Sequence, residues 1–453
     1  YEDVTNVDSV GIVTARGLNI FGNTTGLNAT GISTVASLKF TDTNIKIGLN
    51  ALDSLTTGTN NVAVGENALT ATTTGSNNTA MGDAALGANT TGDSSVAVGH
   101  GALDANTTGN RNVAVGQNAL GANTTASNNT AVGHDALLLN TTASDNTAVG
   151  KAALGANTTG TYNVAVGALA LDANTTANNN TGLGYAALGA NTTGADNTSV
   201  GANALQSNTT ATFNSAFGQA ALAQNTTGAS NSAFGQGSLR SNTTGTQNVA
   251  VGTNALDAAT TAIRNTAIGY NAGTTVTTGS YNAILGAYAG EDINTGQHNT
   301  IIGYDSGPNV QDGDNNTVLG SNALHTAVEA NNNIAIGYQS MYYTTTGDGN
   351  VAVGYDTLKA NTTGAGNVAV GNNALRANTT SSNNTAIGDN ALLVNVTGLD
   401  NTAVGSACLD ANTGNYNTGV GKGALTANTT GQQNCAFGVS SMITNTTGDY
   451  NTA

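Results

Sequence analysis

The sequence is poor in charge, proline and large aromatic residues. Lys and Arg number 10, Asp and Glu 26, Pro 1 and Trp 0 among 453 residues. The net charge of −16 repels phosphate backbones and anionic lipid, so nucleic acid is not an expected partner. No apolar run reaches the length of a membrane-spanning helix, so the sequence predicts no membrane span in this segment.

Residues that carry chemistry are also few. Cys408 and Cys435 are too few for a disulfide framework and are interpreted as small residues that packing tolerates. The histidines are too scattered to predict a zinc site, and no glycine-rich phosphate-binding motif occurs. The sequence therefore predicts no cofactor, no metal site and no enzyme activity.

The sequence is instead rich in glycine, asparagine, threonine and alanine at fixed spacing. The glycine of an AVG motif recurs every 17 residues from Gly48 to Gly405, then at Gly421 and Gly438, which makes 24 units. Numbered from its asparagine, the unit reads N-T-A-V-G-x-x-A-L-x-A-N-T-T-G-x-x, positions 1 to 17. Position 4 is apolar, position 9 is mostly leucine, and charges collect at positions 6, 7, 10, 16 and 17. A period of this size predicts a repeat architecture.

Each unit is predicted to be β-structured, because glycine and β-branched residues disfavour a helix. Positions 1 to 4 and 7 to 11 are predicted as two short strands, with a turn at position 5 and a solvent-exposed Asn-Thr-Thr-Gly corner. So short a unit cannot bury its position-4 valine and position-9 leucine alone, so units must stack. The predicted fold is an all-β parallel β-solenoid or β-roll of about 24 rungs, roughly 115 Å long at about 4.8 Å per rung.

The asparagine at position 1 varies only once, at Ser95. Stacked in register, these asparagines predict a ladder of side-chain amides bonded to the next rung. Its members include Asn61, Asn78, Asn112, Asn129, Asn146 and Asn163.

Two segments depart from the repeat. Residues 1–43 lack its register and are predicted as an N-terminal cap, neck or shaft, followed by the repeat domain at 44–453. Within that domain, residues 269–343 are variant rungs rich in Tyr and Gly, in which the position-9 leucine becomes Gly273, Gly290 and Gly307.

The variant rungs allow two interpretations. One is an exposed aromatic patch that contacts sugar or a receptor, formed by Tyr270, Tyr288, Tyr304 and Tyr338. The other is compensation, in which larger groups refill the volume that the leucine column vacates.

The repeated Asn-Thr-Thr corner also allows more than one interpretation. As N-x-T it is an acceptor for N-linked glycan, and Asn-Thr is equally good turn chemistry. The candidate acceptors are Asn89, Asn106, Asn123, Asn140, Asn157, Asn174, Asn191, Asn208, Asn225, Asn242, Asn361 and Asn378. Ranked threonines also suggest an ice-binding face, but adjacent threonines are expected to point to different sides.

The units NTAVGxxALxANTTGxxN and AIGYNAGTTVTTGSYN resemble repeats of bacteriophage tail-fibre proteins and of the heads of trimeric autotransporter adhesins. Position by position, NTAVG is similar to the start of the adhesin motif NSVAIGxxS, which belongs to a shorter repeat. The leading DVTNVDSVGIVTARGLNI is similar to segments of marine cyanophage structural proteins. The resemblance covers essentially the whole chain and implies a left-handed β-roll that assembles as a homotrimer.

Together these features favour a non-enzymatic extracellular structural or adhesive fibre, on a virion or cell surface, for host or surface attachment. Its expected partners are further copies of itself, as a homotrimer or end-to-end filament, and a cell-surface glycan or receptor. The alanine column at position 3 is interpreted as a face that another chain could approach. The alternative is a filament-forming, N-glycosylated fibril protein. A third hypothesis is a tailspike-type polysaccharide-degrading enzyme that uses carboxylates such as Asp389 and Asp410.

Overall fold

The computed structural model describes residues 43–453, so the predicted cap, neck or shaft at 1–43 lies outside the described residues except at its end. Residues Asn44–Ala453 form a compact unit. Its 24 strands, β1 to β24, are Ile45–Ile47, Val62–Val64, Thr79–Met81, Val96–Val98, Val113–Val115, Thr130–Val132, Thr147–Val149, Val164–Val166, Thr181–Leu183, Thr198–Val200, Ser215–Phe217, Ser232–Phe234, Val249–Val251, Thr266–Ile268, Ala283–Leu285, Thr300–Ile302, Thr317–Leu319, Ile334–Ile336, Val351–Val353, Val368–Val370, Thr385–Ile387, Thr402–Val404, Thr418–Val420 and Cys435–Phe437.

All 24 strands belong to one parallel sheet, in which each strand pairs with the strand of the next rung. In β5 and β6, for example, Ala114 lies opposite Ala131 and Val115 opposite Val132. At about 4.8 Å between neighbouring strands, the sheet extends about 110 Å along the stack. The predicted parallel β-solenoid is confirmed, whereas its handedness stays a prediction.

The side of each strand that faces the core is the opposite of the side predicted from the sequence. The position-3 residue Ala114 is fully buried, whereas the position-4 residues Met81 and Phe437 are 44% and 60% exposed. Position 3 abuts the position-9 leucine across the coil, since a Cβ added to Gly182 would lie 3.4 Å from Leu171 Cδ1. The narrow interior therefore has room for one leucine and small residues. The predictions that position 4 lies in the core and that the alanine column faces another chain are both wrong.

The prediction of a second strand at positions 7 to 11 is also wrong. In the rung that begins at Asn112, this segment is a chain of turns with positive φ at Asn118 (55°) and Leu120 (52°). The left-handed conformations direct two consecutive side chains, Ala119 and Leu120, into the core, which the alternating sides of a strand cannot do. The segment still bonds along the stack, since the Leu120 N–H donates to the Ala136 oxygen at 2.9 Å.

The glycine at position 5 closes the strand and allows the rungs to approach. Gly116 has a φ of 136°, and a Cβ there would lie 2.4 Å from the carbonyl oxygen of Gly133 in the next rung. Only glycine fits both the conformation and the space. Residues 43–453 contain no helix, and therefore none that is long and apolar enough to cross a membrane.

Candidate binding surfaces

The outward side chains of the coil form several long surfaces, among them two that differ in character. We define the sheet face as the side chains at positions 2 and 4 of the strands, and the turn face as those at positions 6, 7, 10 and 11. The buried columns at positions 3, 8 and 9 separate the two faces, as Ala114, Ala119 and Leu120 illustrate. Any ligand or partner of the solenoid must be recognised through such outward columns.

The sheet face carries no charged residue at positions 2 and 4 of the 24 described strands, and its position-4 column is apolar throughout. Position 2 carries mainly valine or threonine, and position 4 carries Val, Ile, Leu, Met or Phe. Phe217 and Phe234 stack on consecutive rungs with ring centroids 4.8 Å apart. A continuous apolar column of this length, as at position 4, is rare on monomeric soluble proteins and marks interaction sites.

Three of the four predicted patch tyrosines lie together on the turn face. Tyr288 contacts Tyr270 and Tyr304 edge to face, with ring centroids 5.3 and 6.1 Å apart. Tyr270 and Tyr304 are 49% and 59% exposed. The three rings form a continuous aromatic surface over three rungs.

The fourth, Tyr338, lies in a separate group. The intervening rung carries Ser321 at position 6, and Tyr338 instead stacks on Tyr355, one rung later, with ring centroids 5.4 Å apart. The sequence pattern located the tyrosines but did not show this division.

Larger core side chains do refill the volume that the missing leucines leave, but the tyrosines take no part in this compensation. A Cβ added to Gly273 would lie 2.9 Å from Ile284 Cδ1 and 3.2 Å from Val276 Cγ2. A Cβ on Gly290 would lie 2.7 Å from Ile293 Cδ1. The isoleucine and valine side chains therefore occupy the space that leucine fills in other rungs, and the tyrosines outside need another explanation.

Sequence reasoning missed a second feature of the turn face. Position 10 carries His325, Tyr342, Lys359 and Arg376 on four consecutive rungs. The His325 and Tyr342 rings stack with centroids 4.6 Å apart, and Tyr342 meets Tyr343 edge to face at 4.7 Å. The signal was available in the sequence, because all four share one repeat position.

Charges next to this column hold its side chains in place. His325 Nε2 lies 3.2 Å from Asp305 Oδ2. Lys359 Nζ and Arg376 Nε lie 3.1 and 3.4 Å from the buried Asp356 Oδ2. A shallow depression of about 390 Å³ follows, lined by Tyr343, Lys359, Ala360, Arg376 and Ala377.

The position-1 asparagines form a continuous internal column. The Asn129 N–H donates to Asn112 Oδ1 at 3.0 Å, and Asn112 Nδ2 donates to the Ala126 oxygen at 2.8 Å. The side-chain oxygen thus joins two rungs while the amide nitrogen closes its own coil. The same bonds recur at the other predicted ladder positions: Asn61, Asn78, Asn146 and Asn163.

The corner asparagines are buried, contrary to the predicted solvent-exposed corner. Asn123 Nδ2 donates to Asn106 Oδ1 at 2.8 Å and to the Ala126 oxygen at 3.1 Å. An N-linked glycan on this nitrogen would disrupt the bonds, so the folded rung does not present it as an acceptor. The same full burial holds for Asn89, Asn106, Asn140, Asn157, Asn174, Asn191, Asn208, Asn225, Asn242, Asn361 and Asn378.

The two threonines of the corner differ in direction. Thr124 Oγ1 donates to the Thr141 oxygen of the next rung at 3.1 Å, whereas the following Thr125 is exposed. Adjacent threonines therefore do not form one flat outward rank.

Burial raises the pKa of several titratable side chains of the solenoid. Burial raises the pKa of the position-10 carboxyls of Asp104, Asp172, Asp257 and Asp410. Burial also raises the pKa of the Cys408 thiol to about 11, which keeps it protonated at neutral pH. Within residues 43–453, no three His, Cys, Asp or Glu side chains are grouped so that they could hold a metal ion.

The outward surfaces therefore include an uncharged sheet face with an apolar position-4 column, a turn face with local aromatic and basic groups, and exposed corner side chains such as Thr125 and Asn128. Comparison of the chain with protein-family models finds no matching family, and comparison with curated proteins finds no relative.

Proposed function

We propose that this chain is the rod of a non-enzymatic extracellular fibre, whose copies associate through the sheet face and leave the turn face free to contact a target. The observation that carries the proposal is the unbroken column of large apolar side chains at position 4 along all 24 strands. Ordinary sheets with one solvated face alternate apolar and polar residues, whereas this sheet has mainly small residues inside and, outside, a column of large apolar residues at position 4 beside mainly valine or threonine at position 2. An outer face of that composition is suited to contact with protein.

The size of the sheet face is sufficient for a stable interface. A stack about 110 Å long and three residues, or about 10 Å, wide presents roughly 1,100 Å² even before side-chain relief is counted. A stable interface needs about 800 Å² from each partner. A second copy is a suitable partner because its own sheet face has the same length, rung spacing and apolar position-4 column.

Display of the turn face gives the rod its proposed attachment role. The tyrosine groups and the position-10 column lie on columns that the sheet-face contact leaves uncovered. Copies joined side by side would present several such surfaces at once, and multivalent contact strengthens weak individual binding without a deep pocket. A cell-surface glycan or receptor is the proposed target, and a virion or cell surface the proposed location.

The test compares lysines on two faces of the same four rungs. The sheet-face variant is V98K/V115K/V132K/V149K, all at position 4. The control is H100K/Q117K/H134K, which with the native Lys151 also gives four lysines, all at position 6. Because a buried uncompensated charge costs about 3–5 kcal/mol, the sheet-face variant is expected to raise the dissociation constant by on the order of 100-fold or more.

Light scattering during size-exclusion chromatography measures the mass, and circular dichroism checks the β-structure of each variant. The control is expected to keep the wild-type assembly. Equal assembly of both folded variants, or continuous end-to-end filaments that persist in the sheet-face variant, would contradict the proposed interface.

A further inference from the structure

The depression beside Arg376 is chemically distinct from the rest of the solenoid. Lys359 and Arg376 occupy position 10 on consecutive rungs, and no other two Lys or Arg residues of the described rungs share a position on neighbouring rungs. The chain as a whole carries a net charge of −16. Asp356 lies against both cations and offsets one of their charges, so the pair keeps one positive charge. Charges farther away than about 8 Å are largely screened at physiological ionic strength, so this local positive charge can still attract an anion.

The two cations are held differently by the surrounding residues. Lys359 Nζ contacts Gln339 Oε1 at 2.5 Å and both Asp356 oxygens at 3.1 Å, so its ammonium group is fixed within the rung stack. Arg376 is half exposed, and its Nε lies 3.4 Å from Asp356 Oδ2. The terminal nitrogens of Arg376 make no hydrogen bond within residues 43–453. The guanidinium group therefore keeps donors available for a ligand.

An aromatic ring completes the depression. Tyr343 lies one position along the chain from the Lys359 column and is 49% exposed. The Tyr342 ring meets it edge to face, and Tyr342 in turn stacks on His325. These contacts hold the Tyr343 ring in place before any ligand arrives. Ala360 and Ala377 leave the space between the ring and the cations open.

We propose that this depression, the Arg376 notch, binds a saccharide residue that carries an anionic group. The terminal nitrogens of Arg376 donate to the anionic group, and the apolar face of the sugar ring lies on Tyr343. A planar guanidinium pairs with a carboxylate through two parallel hydrogen bonds, which gives geometric as well as electrostatic selectivity. Aromatic rings supply flat apolar contact with a polar tip.

The open shape of the notch favours a sugar over an acidic peptide. The notch is shallow and lies among turns, so it offers neither a free strand edge nor an apolar groove, the two features that commonly seat peptides. A single ring with one charged substituent needs only the contacts that Tyr343 and Arg376 provide. This inference rests on the proposed attachment function, because it names the chemistry of the target.

The test uses the full chain and three oligosaccharide probes in isothermal titration calorimetry. The probes are a hyaluronan tetrasaccharide, which carries carboxylates, a chondroitin sulfate tetrasaccharide, which adds sulfates, and the neutral cellotetraose. The expected result is binding of the anionic probes that weakens with salt, with little binding of cellotetraose. Tighter binding of the hyaluronan or of the sulfated probe identifies carboxylate or sulfate as the preferred group.

Matched variants assign the binding to the notch. R376Q and Y343L are each expected to weaken binding by about tenfold or more, since each removes one principal contact. R240Q is the control, because Arg240 also lies at position 10 but pairs with Asp257 at 2.7 Å, far along the stack. Circular dichroism checks that each variant folds.

Several outcomes would overturn the proposal: no binding of either anionic probe, equal binding of cellotetraose, unchanged binding by R376Q, or equal competition by a polyglutamate peptide. The assembly mass, measured on the same samples, separates this result from the proposed fibre. Loss of sugar binding with intact assembly contradicts the notch alone, whereas a monomeric chain contradicts the sheet-face contact.

Discussion

The backbone N–H of Asn129 donates to the side-chain oxygen of Asn112, one rung earlier, at 3.0 Å. Asn112 Nδ2 closes its own coil on the Ala126 oxygen at 2.8 Å. One buried side chain thus satisfies two backbone groups that have no access to water. Buried polar groups without a partner cost about 1–3 kcal/mol each. We therefore expect Asn112→Ala to destabilise the surrounding rungs by about 2–4 kcal/mol, from these two groups together.

The one natural exception supplies the comparison for this prediction. Ser95 occupies position 1, and its Oγ accepts the Asn112 N–H at 3.2 Å. Asn112→Ser should therefore cost less than Asn112→Ala. Amide hydrogen exchange of the segments around Asn112 and Asn129 measures the local opening energy, which a global unfolding midpoint would average over many rungs. Equal protection in both variants and the wild type would contradict a structural role for the ladder.

Gly273 and Ile284 are expected to be coupled in stability. A Cβ on Gly273 would lie 2.9 Å from Ile284 Cδ1, and leucines at the same repeat position elsewhere adopt a similar φ. Space, and not backbone conformation, therefore excludes leucine here. We expect Gly273→Leu to destabilise the rod by about 1–3 kcal/mol through overpacking.

In the G273L background, Ile284→Ala should recover part of the lost stability, because the ordinary rungs combine alanine at position 3 with leucine at position 9. A double-mutant cycle from denaturant unfolding of G273L, I284A and the double variant measures the coupling. Additive effects of the two substitutions would show that Ile284 does not fill the space that leucine vacated.

The raised pKa of Asp172 predicts how the unfolding free energy changes with pH. Partial burial raises the pKa of its carboxyl above 3.8, although hydrogen bonds from its own and the Ala173 backbone N–H lower it. Between the unfolded and the raised folded pKa, the folded chain binds more protons than the unfolded chain. The unfolding free energy from this group therefore falls as pH rises through that window.

Asp172→Asn removes that pH-dependent contribution while keeping a side-chain oxygen as acceptor. We expect the variant to have a higher thermal midpoint than the wild type at pH 7, with a difference that shrinks as the pH falls through that same window toward 3.8. Asp389→Asn, on an exposed residue of the same face, is the control and should change little. A midpoint difference that grows on acidification would show that the sign is wrong.

The 17-residue period predicted the parallel stack, because register alone determines which residues lie above each other. It could not decide which side of the strand faces inward. Val115 is more apolar than Ala114, so hydrophobicity pointed to position 4, and the deciding factor was the space left beside Leu120. The turns at positions 7 to 11 were also missed, because a left-handed Leu120 has no sequence signal of the kind that glycine gives.

The candidate surfaces were also predictable only in part, because turn geometry decides which of their residues meet. Tyr270 and Tyr304 stand out as unusual residues in a repetitive sequence, so their exposure could be anticipated. The grouping of Tyr343 with Lys359 and Arg376 depends on contacts between positions 10 and 11 of neighbouring rungs. Those contacts follow from turn geometry, which the strand interpretation of that segment did not contain.

The most direct test of the central claim is the mass of the wild-type chain in solution. Sedimentation equilibrium should give two or more times 44.5 kDa at micromolar concentration, because the proposed association buries the sheet face between copies. The sheet-face lysine variant should move that mass toward 44.5 kDa while its β-structure is retained. A wild-type mass of 44.5 kDa at every concentration would contradict association through the sheet face.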